Sequence, residues 1–286
     1  MAEKLRLAIQ KKGRLSEDSL NLVKESGINF SHSGGTLKAE AFNFPLEFLF
    51  LRDDDIPGYV ADGTADIGIV GQNVYVEKSK NVSVEKELGF SKCRLSIGVP
   101  TLIEYSGASY LDGKSIATSY PVILGDWLKK NNIKAEIHEI SGSVEIAPSI
   151  GLAEAVCDIV STGSTLVSNG LKEVEAIFNS QAVLIANLNL SAEKREILNK
   201  LIFRFESVMN AKGKKYITLN CPENAVAKIT SLIPGVKSPS ITHLAKEGWV
   251  SMHSVVNEND FWDVVDNVRD AGAEGILVLP IEKIIQ

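Results

Sequence analysis

The sequence has few cysteines and no long apolar run. Its three cysteines, Cys93, Cys157 and Cys221, are odd in number and widely spaced, a pattern that makes neither a disulfide framework nor a zinc site. No apolar stretch approaches the roughly 18 residues that span a bilayer, and the first residues lack the apolar core of a signal peptide. We therefore expect reduced thiols, no membrane partner and a cytoplasmic location.

Basic tracts and clustered histidines are also absent from the sequence. The formal charge of −6 argues against a protein that binds nucleic acid nonspecifically. The histidines are scattered and form no metal-binding spacing, and no Ser-His-Asp or Cys-His arrangement is visible. The four histidines are His32, His138, His243 and His253. Chemistry that depends on a side-chain nucleophile is therefore not expected.

What the sequence does contain is an alternation of strand-like and helix-like segments through about residue 210. With 44% hydrophobic residues in a chain of 286, this alternation predicts an α/β fold of two or three domains, with helices on both faces of its sheets. Ser16 is expected to cap the first helix, Ser16–Glu25. After a polar linker at Ala211–Lys215, the order βαββαβ indicates a ferredoxin-like module.

The most informative motif is Asp158-Ile-Val-Ser-Thr-Gly-Ser-Thr-Leu166. A β-branched run followed by glycine and hydroxyl residues is typical of a strand that turns into a helix. Backbone N–H groups at such a turn lack partners and can bind a phosphate. Helix capping would explain the same hydroxyls, so the motif alone leaves both interpretations open.

Other motifs make the interpretation specific. They are Gly142-Ser-Val-Glu-Ile-Ala-Pro148 before the turn, Lys12-Gly-Arg-Leu15, Leu51-Arg52, Asp55-Ile-Pro57, Gly63-Thr-Ala-Asp-Ile-Gly-Ile-Val-Gly71 and Leu277-Val-Leu-Pro-Ile-Glu-Lys283. Their identity and order resemble the ATP phosphoribosyltransferase family over essentially the whole chain. The resemblance implies a type II periplasmic-binding-protein-like pair of lobes, 1–100 with 181–210 and 101–180. It also implies a C-terminal ACT-like regulatory domain, 211–286.

The reaction that the resemblance implies joins N1 of the adenine of ATP to C1 of phosphoribosyl pyrophosphate and releases pyrophosphate. This is the first step of histidine biosynthesis. The residues that would bind phosphoribosyl pyrophosphate are Glu145, Asp158, Ser161, Thr162, Gly163, Ser164 and Thr165, and those for ATP are Arg14, Arg52 and Gly71. Arg14, Arg52 and Asp158 would position the reactants. Mg²⁺ would be held mainly by the substrates, with Glu145 or Asp158 as possible ligands.

The resemblance further implies that L-histidine inhibits the enzyme at the C-terminal domain, through quaternary change in a homo-oligomer, a dimer or hexamer. The expected effector residues are Asn220, Ser240, Thr242, Val255 and Gly275. Three positions depart from the family pattern, of which Ser240 replaces a threonine and keeps the hydroxyl. Ser149 stands where relatives can carry a basic residue, and His243 replaces a proline, so a pyrophosphate contact and the stiffness of one loop are in question.

Two alternatives stay open from the sequence. The chain could be a phosphoribosyltransferase that acts on another base, although such enzymes usually carry two adjacent acids and here Cys157 precedes Asp158. It could also be a noncatalytic two-lobed sensor of small molecules. That alternative gives no reason for Arg14 and Arg52 to face the Asp158–Leu166 turn.

Overall fold

The chain divides into two compact units, residues 1–201 and 202–286. The computed structural model describes residues 3–285 except 33, 34, 234, 236 and 237. The division falls inside the helix Ala192–Ala211, ahead of the boundary at residue 211 expected from the sequence. No helix in the described part of the chain is both long and apolar enough to cross a membrane.

The first unit is built from alternating strands and helices. Its strands are β1 (Leu5–Gln10), β2 (Lys38–Glu40), β3 (Leu46–Leu51), β4 (Ile67–Gly71), β5 (Ser83–Glu87), β6 (Cys93–Pro100), β7 (Ser115–Thr118), β8 (Glu136–Glu139), β9 (Ala155–Val160), β10 (Leu171–Ser180) and β11 (Ala182–Ala186). Its helices are α1 (Arg14–Glu25), α2 (Ile56–Ala61), α3 (Gln72–Lys78), α4 (Pro121–Lys130) and α5 (Ser164–Ser168), and α6 (Ala192–Ala211) begins in it.

The first sheet has the strand order β2-β3-β1-β4-β11-β5 among the described residues. β1 is parallel to β3 and β4, whereas β11 is antiparallel to β4. The inner strands are apolar on both faces, as covered parallel strands are, and side chains such as Phe48 and Ile69 are fully buried. Because β1, β3 and β4 run in one direction, their carboxyl ends lie along the same edge of the sheet.

The second sheet has the order β10-β6-β9-β7-β8 within the same described residues. β7 is parallel to β8 and β9, and β6 is antiparallel to β9 and β10. The sequence places the passage between lobes near Pro100, but β6, which ends there, already belongs to the second sheet. The chain changes sheets between Glu87 and Cys93.

The start of α1 differs from the sequence-based expectation. The helix begins at Arg14 after Gly13, whose φ of 100° is unsuited to residues with a side chain, and no side chain caps it. Ser16 lies inside the helix and is buried, so the predicted serine cap is wrong. The consequence is functional, because Arg14 becomes the first helical residue at the edge where β1 ends.

The second unit has the predicted βαββαβ order. Its elements are β12 (Lys214–Pro222), α7 (Val226–Leu232), β13 (Ser240–His243), β14 (Trp249–Asn257), α8 (Glu258–Asp270) and β15 (Glu274–Pro280). The described strands pair antiparallel in the order β13-β14-β12-β15, which confirms the ferredoxin-like arrangement. The expected linker Ala211–Lys215 is much shorter, since α6 ends at Ala211 and β12 begins at Lys214.

A buried ionic cluster stabilises the start of β4. Both carboxylate oxygens of Asp66 accept hydrogen bonds from Arg6, at 3.0 and 3.1 Å from its guanidinium and 2.7 Å from its backbone N–H. Lys194 Nζ donates to Asp66 Oδ1 at 2.8 Å. Burial opposes ionisation, but the hydrogen bonds from Arg6 and Lys194 outweigh it and lower the pKa of Asp66. The charged form of Asp66 therefore contributes to stability.

We predict that Asp66→Asn lowers the free energy of unfolding by about 3 to 5 kcal/mol at neutral pH, because it breaks a buried ion pair. A lowered pKa means that this contribution is complete above the carboxyl's unfolded-state pKa, about 4, and is lost as the pH falls from there through the lower folded-state pKa, so the difference between the two proteins should shrink progressively below about pH 4. Urea unfolding measures the difference. Asp62→Asn, a charge change at an exposed position, is the control, and an equal loss there would contradict the assignment.

Candidate functional site

The Asp158–Leu166 segment forms the strand-to-helix turn that the sequence predicts. β9 ends at Val160, and α5 begins at Ser164 after Gly163, which adopts the left-handed conformation with φ of 83°. No side chain caps α5, and the hydroxyls of Ser161, Thr162, Ser164 and Thr165 are exposed. Helix capping therefore does not account for these hydroxyls. They and the N–H groups of the first turn are accessible to an anion, with the hydroxyl oxygens of Thr162 and Ser164 3.0 Å apart.

Two arginines from different elements reach Ser161. Arg14 Nη1, at the start of α1, donates to Ser161 Oγ at 3.3 Å. Arg94 Nη1, on β6, donates to the Ser161 carbonyl oxygen at 3.4 Å. The first contact brings the edge of the first sheet to the turn of the second. The sequence predicts Arg14 in this site and leaves the role of Arg94 open.

Arg94 is itself held in place by Glu173 on β10. Its Nε and Nη2 donate to the two carboxylate oxygens of Glu173, and Ser96 Oγ donates to Glu173 Oε1 at 2.8 Å. The hydrogen bonds from Arg94 lower the pKa of Glu173, although burial opposes this. A two-point pairing of this kind fixes the plane of a guanidinium. Glu173 therefore holds Arg94 where it donates to the backbone carbonyl of Ser161.

Asp158 and Glu145 bring two carboxylates to the same part of the second lobe. Asp158 lies on β9 beside Ser96 of β6 and accepts the N–H of Ile159 at 2.8 Å. Burial raises the pKa of Asp158, and the charge of Glu145 adds to the effect. Glu145 sits in the short 3-10 turn Val144–Ile146. A cation or donor hydroxyls would stabilise the charged form of Asp158.

The three residues predicted for ATP lie where β1, β3 and β4 end. Arg14 follows β1, Arg52 follows β3 and Gly71 ends β4. Arg52 is exposed, and in the described residues no contact joins its guanidinium to the Asp158–Leu166 turn. At Gly71 a Cβ atom would lie 2.4 Å from Asn73 Oδ1. Close packing against Asn73 therefore explains this glycine without a ligand.

The structure adds three polar residues that sequence reasoning missed. Ser180 Oγ donates to Asn73 Oδ1 at 2.8 Å and accepts the Asn73 N–H at 3.1 Å, and Asn73 Nδ2 donates to Tyr120 Oη at 3.2 Å. Burial raises the pKa of Tyr120, with the charge of Asp158 as the next cause. This network joins α3 of the first sheet to α4 of the second beside Asp158. Residues so far apart in sequence carry no local signal of their contact.

α4 is also capped from the first lobe. The two carboxylate oxygens of Glu77, on α3, accept the N–H groups of Val122 at 2.9 Å and Ile123 at 3.0 Å. These N–H groups belong to the first turn of α4, which has no side-chain cap of its own. Glu77 therefore contributes to the alignment of the two lobes around Tyr120.

In the second unit, the residues predicted to bind histidine lie mostly on one face of the sheet. Asn220, Ser251 and Thr242 are aligned across β12, β14 and β13, and Ser240 is paired with His253 in the next row. The opposite face carries the buried core that packs on α7 and α8. Val255 is paired with Tyr216 on the same open face. Gly275 lies beside Asn220, whose Nδ2 is 3.6 Å from the position of a Cβ.

The family of the chain follows from comparisons with known proteins. A family model described as HisG, ATP phosphoribosyltransferase, matches residues 52–207, and one described as HisG, C-terminal domain, matches residues 211–283. This chain belongs to the ATP phosphoribosyltransferase family. The resemblance described from the sequence motifs is thereby confirmed, as is the α/β fold class with its C-terminal domain.

Relatives named ATP phosphoribosyltransferase match this chain over nearly its full length. The ATP phosphoribosyltransferase of Cytophaga hutchinsonii is 64% identical over 286 residues, with all of both chains covered. That of Bacteroides thetaiotaomicron is 55% identical over 281 residues, 98% of this chain and 99% of the relative. A solved ATP phosphoribosyl transferase (HisG:HisZ) complex from Thermotoga maritima is 28% identical with a TM-score of 0.60, covering 70% of this chain and 95% of that one. The chain is an enzyme of histidine biosynthesis. Family membership supports neither a phosphoribosyltransferase that acts on another base nor a noncatalytic sensor.

We predict that Gly163→Val weakens binding of phosphoribosyl pyrophosphate by about 10- to 100-fold, because the loss of one or two hydrogen bonds to a charged group costs that much. A β-branched residue at φ of 83° would move the backbone that carries those donors. Gly113→Val is the matched control, with φ of 71° and open space around it. Isothermal titration measures affinity, and equal affinities in the two variants would contradict the prediction.

A second prediction concerns the support of the turn. Glu173→Gln should raise KM for phosphoribosyl pyrophosphate by about 3- to 10-fold, since one charge-assisted pairing that orients Arg94 is weakened. KM for ATP should stay unchanged. Glu175→Gln on the same strand alters only the hydrogen bond from Tyr105 and serves as control. A rise in both KM values alike would mean that Glu173 stabilises the lobe in general.

Proposed function

We propose that this ATP phosphoribosyltransferase binds phosphoribosyl pyrophosphate on the Asp158–Leu166 turn and ATP at the carboxyl edge of the first sheet. The observation that carries the proposal is the contact between Arg14 and Ser161, since it joins the two regions at one point. The exposed hydroxyls at Ser161, Thr162, Ser164 and Thr165 suit the 5′-phosphate, with Gly163 allowing close approach. Ligands of α/β sheets bind outside the carboxyl ends of the strands.

The reaction depends on how the protein positions the two substrates rather than on a covalent bond between protein and substrate. As the bond from C1 to pyrophosphate breaks, the ribosyl carbon gains positive charge, and N1 of adenine attacks it from the opposite side. Holding both partners in line supplies much of the rate. Arg14 and Arg52, whose planar guanidinium groups can donate two hydrogen bonds to phosphate, stabilise the charge on the leaving pyrophosphate. Asp158 and Glu145 accept hydrogen bonds from the ribose hydroxyls.

Enzymes of this family are generally Mg²⁺-dependent, and the residues here fit that ion. Asp158 and Glu145 offer oxygen donors, and the pKa of Asp158 is raised by burial and then by Glu145, an arrangement that a cation would relieve. Among the described residues, no group of three or more His, Cys, Asp and Glu side chains could hold a metal. Substrate oxygens would complete the shell. When bound, Mg²⁺ neutralises charge on the pyrophosphate.

We also propose that L-histidine binds on the open face of the C-terminal sheet and inhibits the enzyme. Asn220, Thr242 and Ser240 offer hydrogen-bond partners in adjacent rows of that face, while Val255 offers an apolar contact. An open sheet face suits contact with a second copy of the module, so we propose a homo-oligomer, a dimer or hexamer. The Thermotoga maritima structure is described as a HisG:HisZ complex. Because the C-terminal domain is part of this chain, no separate regulatory subunit is proposed.

The proposal is tested by incubating purified protein with ATP, phosphoribosyl pyrophosphate, Mg²⁺ and pyrophosphatase, and by measuring phosphoribosyl-ATP with and without histidine. Product that decreases with histidine is the expected result. Product that does not respond to histidine would leave the catalytic proposal and reject the effector role. Ligand binding without product would overturn the catalytic assignment of the site.

The histidine site yields a prediction of its own. Asn220→Ala should raise the histidine concentration for half inhibition by about 10-fold, as expected for one lost hydrogen bond to a charged ligand. The uninhibited rate should be unchanged. Asn267→Ala, at an exposed position on α8, is the matched control. Unaltered inhibition in the Asn220 variant would move the effector elsewhere.

A further inference from the structure

Asp53 is an acid at the edge of the first sheet that the mechanism above does not use. It follows Arg52 directly, at the start of the 3-10 turn Asp53–Asp55. Its Oδ1 is shielded from solvent and has no hydrogen-bond partner among the described residues. A buried carboxylate oxygen without a donor costs folding free energy. A ligand with a hydrogen-bond donor would remove this cost.

Helix capping does not explain Asp53. Neither the 3-10 turn nor α2 after it has a side-chain cap, although acids commonly cap such starts. The neighbouring acid Asp54 behaves differently. Its side chain is 71% exposed and pairs with Lys78 at 3.2 Å. Asp53 thus has a shielded Oδ1 that no donor in the described part of the chain pairs.

The surroundings of Asp53 place it beside the inter-lobe network. After burial and Asp158, the charges of Asp54 and Asp53 also raise the pKa of Tyr120. The charge of Asp53 acts likewise on the Cys93 thiol, whose pKa is raised mainly by burial. The 3-10 turn Asp53–Asp55 packs against α3, the helix whose Asn73 donates to Tyr120, so Asp53 lies close to this network. The other groups that act on Asp53 are Asp54 and Lys78.

The chemistry of the substrates limits what can bind an acid there. Phosphoribosyl pyrophosphate carries phosphates, which a carboxylate repels, and the site proposed above already gives its ribose hydroxyls to Asp158 and Glu145. Of the two substrates only ATP has N–H donors, on the exocyclic amine of adenine. When N1 bonds to the ribosyl carbon and pyrophosphate leaves with the electron pair, the adenine ring becomes positively charged. Part of that charge resides on the exocyclic nitrogen.

We infer that Asp53 accepts a hydrogen bond from the exocyclic amine of ATP and stabilises the positive charge that forms on adenine as N1 bonds to the ribosyl carbon. No proton transfer or further reactant is needed. A carboxylate already removed from water interacts more strongly with a developing charge than an exposed one. The inference rests on the site proposed above for ATP. It makes Asp53 a catalytic residue of this chain.

The test compares Asp53→Asn with Asp54→Asn, which makes the same charge change one residue away. Asp53→Asn should lower kcat by about 100-fold, the size expected when one charge-stabilising group is lost, with KM for ATP changed less than about threefold. The melting temperature should stay equal or rise, because a buried unpaired charge is removed. Asp54→Asn should leave kcat near the wild-type value. An Asp53 variant with wild-type kcat, or with kcat and melting temperature both reduced, would overturn the inference.

The pH profile gives a second readout. Burial, followed by the charge of Asp54, raises the pKa of Asp53 to about 6. The wild-type rate should therefore fall as the pH decreases through about 6, where the carboxylate is protonated. That part of the decline should be missing in Asp53→Asn. Identical profiles in the two proteins would count against a catalytic charge at this position.

The third readout uses 1-methyl-ATP, which carries the ring charge at neutral pH, as a probe of the charged state. For each protein, the measured quantity is the Kd for ATP divided by the Kd for 1-methyl-ATP. This ratio should be about 10-fold larger for the wild-type protein than for Asp53→Asn. An unchanged ratio would overturn the role of Asp53 alone. No phosphoribosyl-ATP from the wild-type protein would instead overturn the proposed function, and this inference with it.

Discussion

The parallel pairing of β1 with β3 and β4 is the constraint on which the site depends. Parallel neighbours point their carboxyl ends in one direction, so the segments that follow the three strands emerge together. These segments supply Arg14, Arg52, Asp53 and Asn73. From that edge, Arg14 and Asn73 reach across to Ser161 and Tyr120 of the second sheet. Without the shared direction, no single cleft would collect these groups.

Two kinds of acid with a shifted pKa occur in the first unit. Asp66 and Glu173 are matched with basic partners, and their pKa values are lowered. Asp53 and Asp158 are poorly matched, and burial raises their pKa values. Asp66 holds Arg6 just before β4 and Glu173 holds Arg94 next to the turn, whereas the charges of Asp158 and Asp53 both act on Tyr120. A protein tolerates such unfavourable charges where a ligand later relieves them.

The C-terminal unit separates packing from binding by the alternation of its strands. Side chains such as Leu219 and Met252 point toward α7 and α8 and form the core. Their neighbours Asn220 and Ser251 point to the other face, which carries the proposed histidine site. A strand exposes alternate residues to opposite sides, so one sheet can carry a stable core and a polar recognition surface. His243, which stands where the family pattern has a proline, lies at the end of β13 beside that surface. Its Nδ1 is 3.1 Å from Glu223 Oε1.

The sequence by itself determined the local features of this protein. β-branched runs and glycines predict the strands and the Asp158–Leu166 turn, and motif order identifies the family, because these signals come from neighbouring residues. Only the tertiary structure decided the contacts of Arg94 with Ser161, of Asn73 with Tyr120 and Ser180, and the isolation of Asp53. It also moved the change of sheets ahead of Pro100. Hydrogen bonds between residues that are distant in sequence, and the burial of a charge, depend on how strands pair and pack, and no local pattern encodes that.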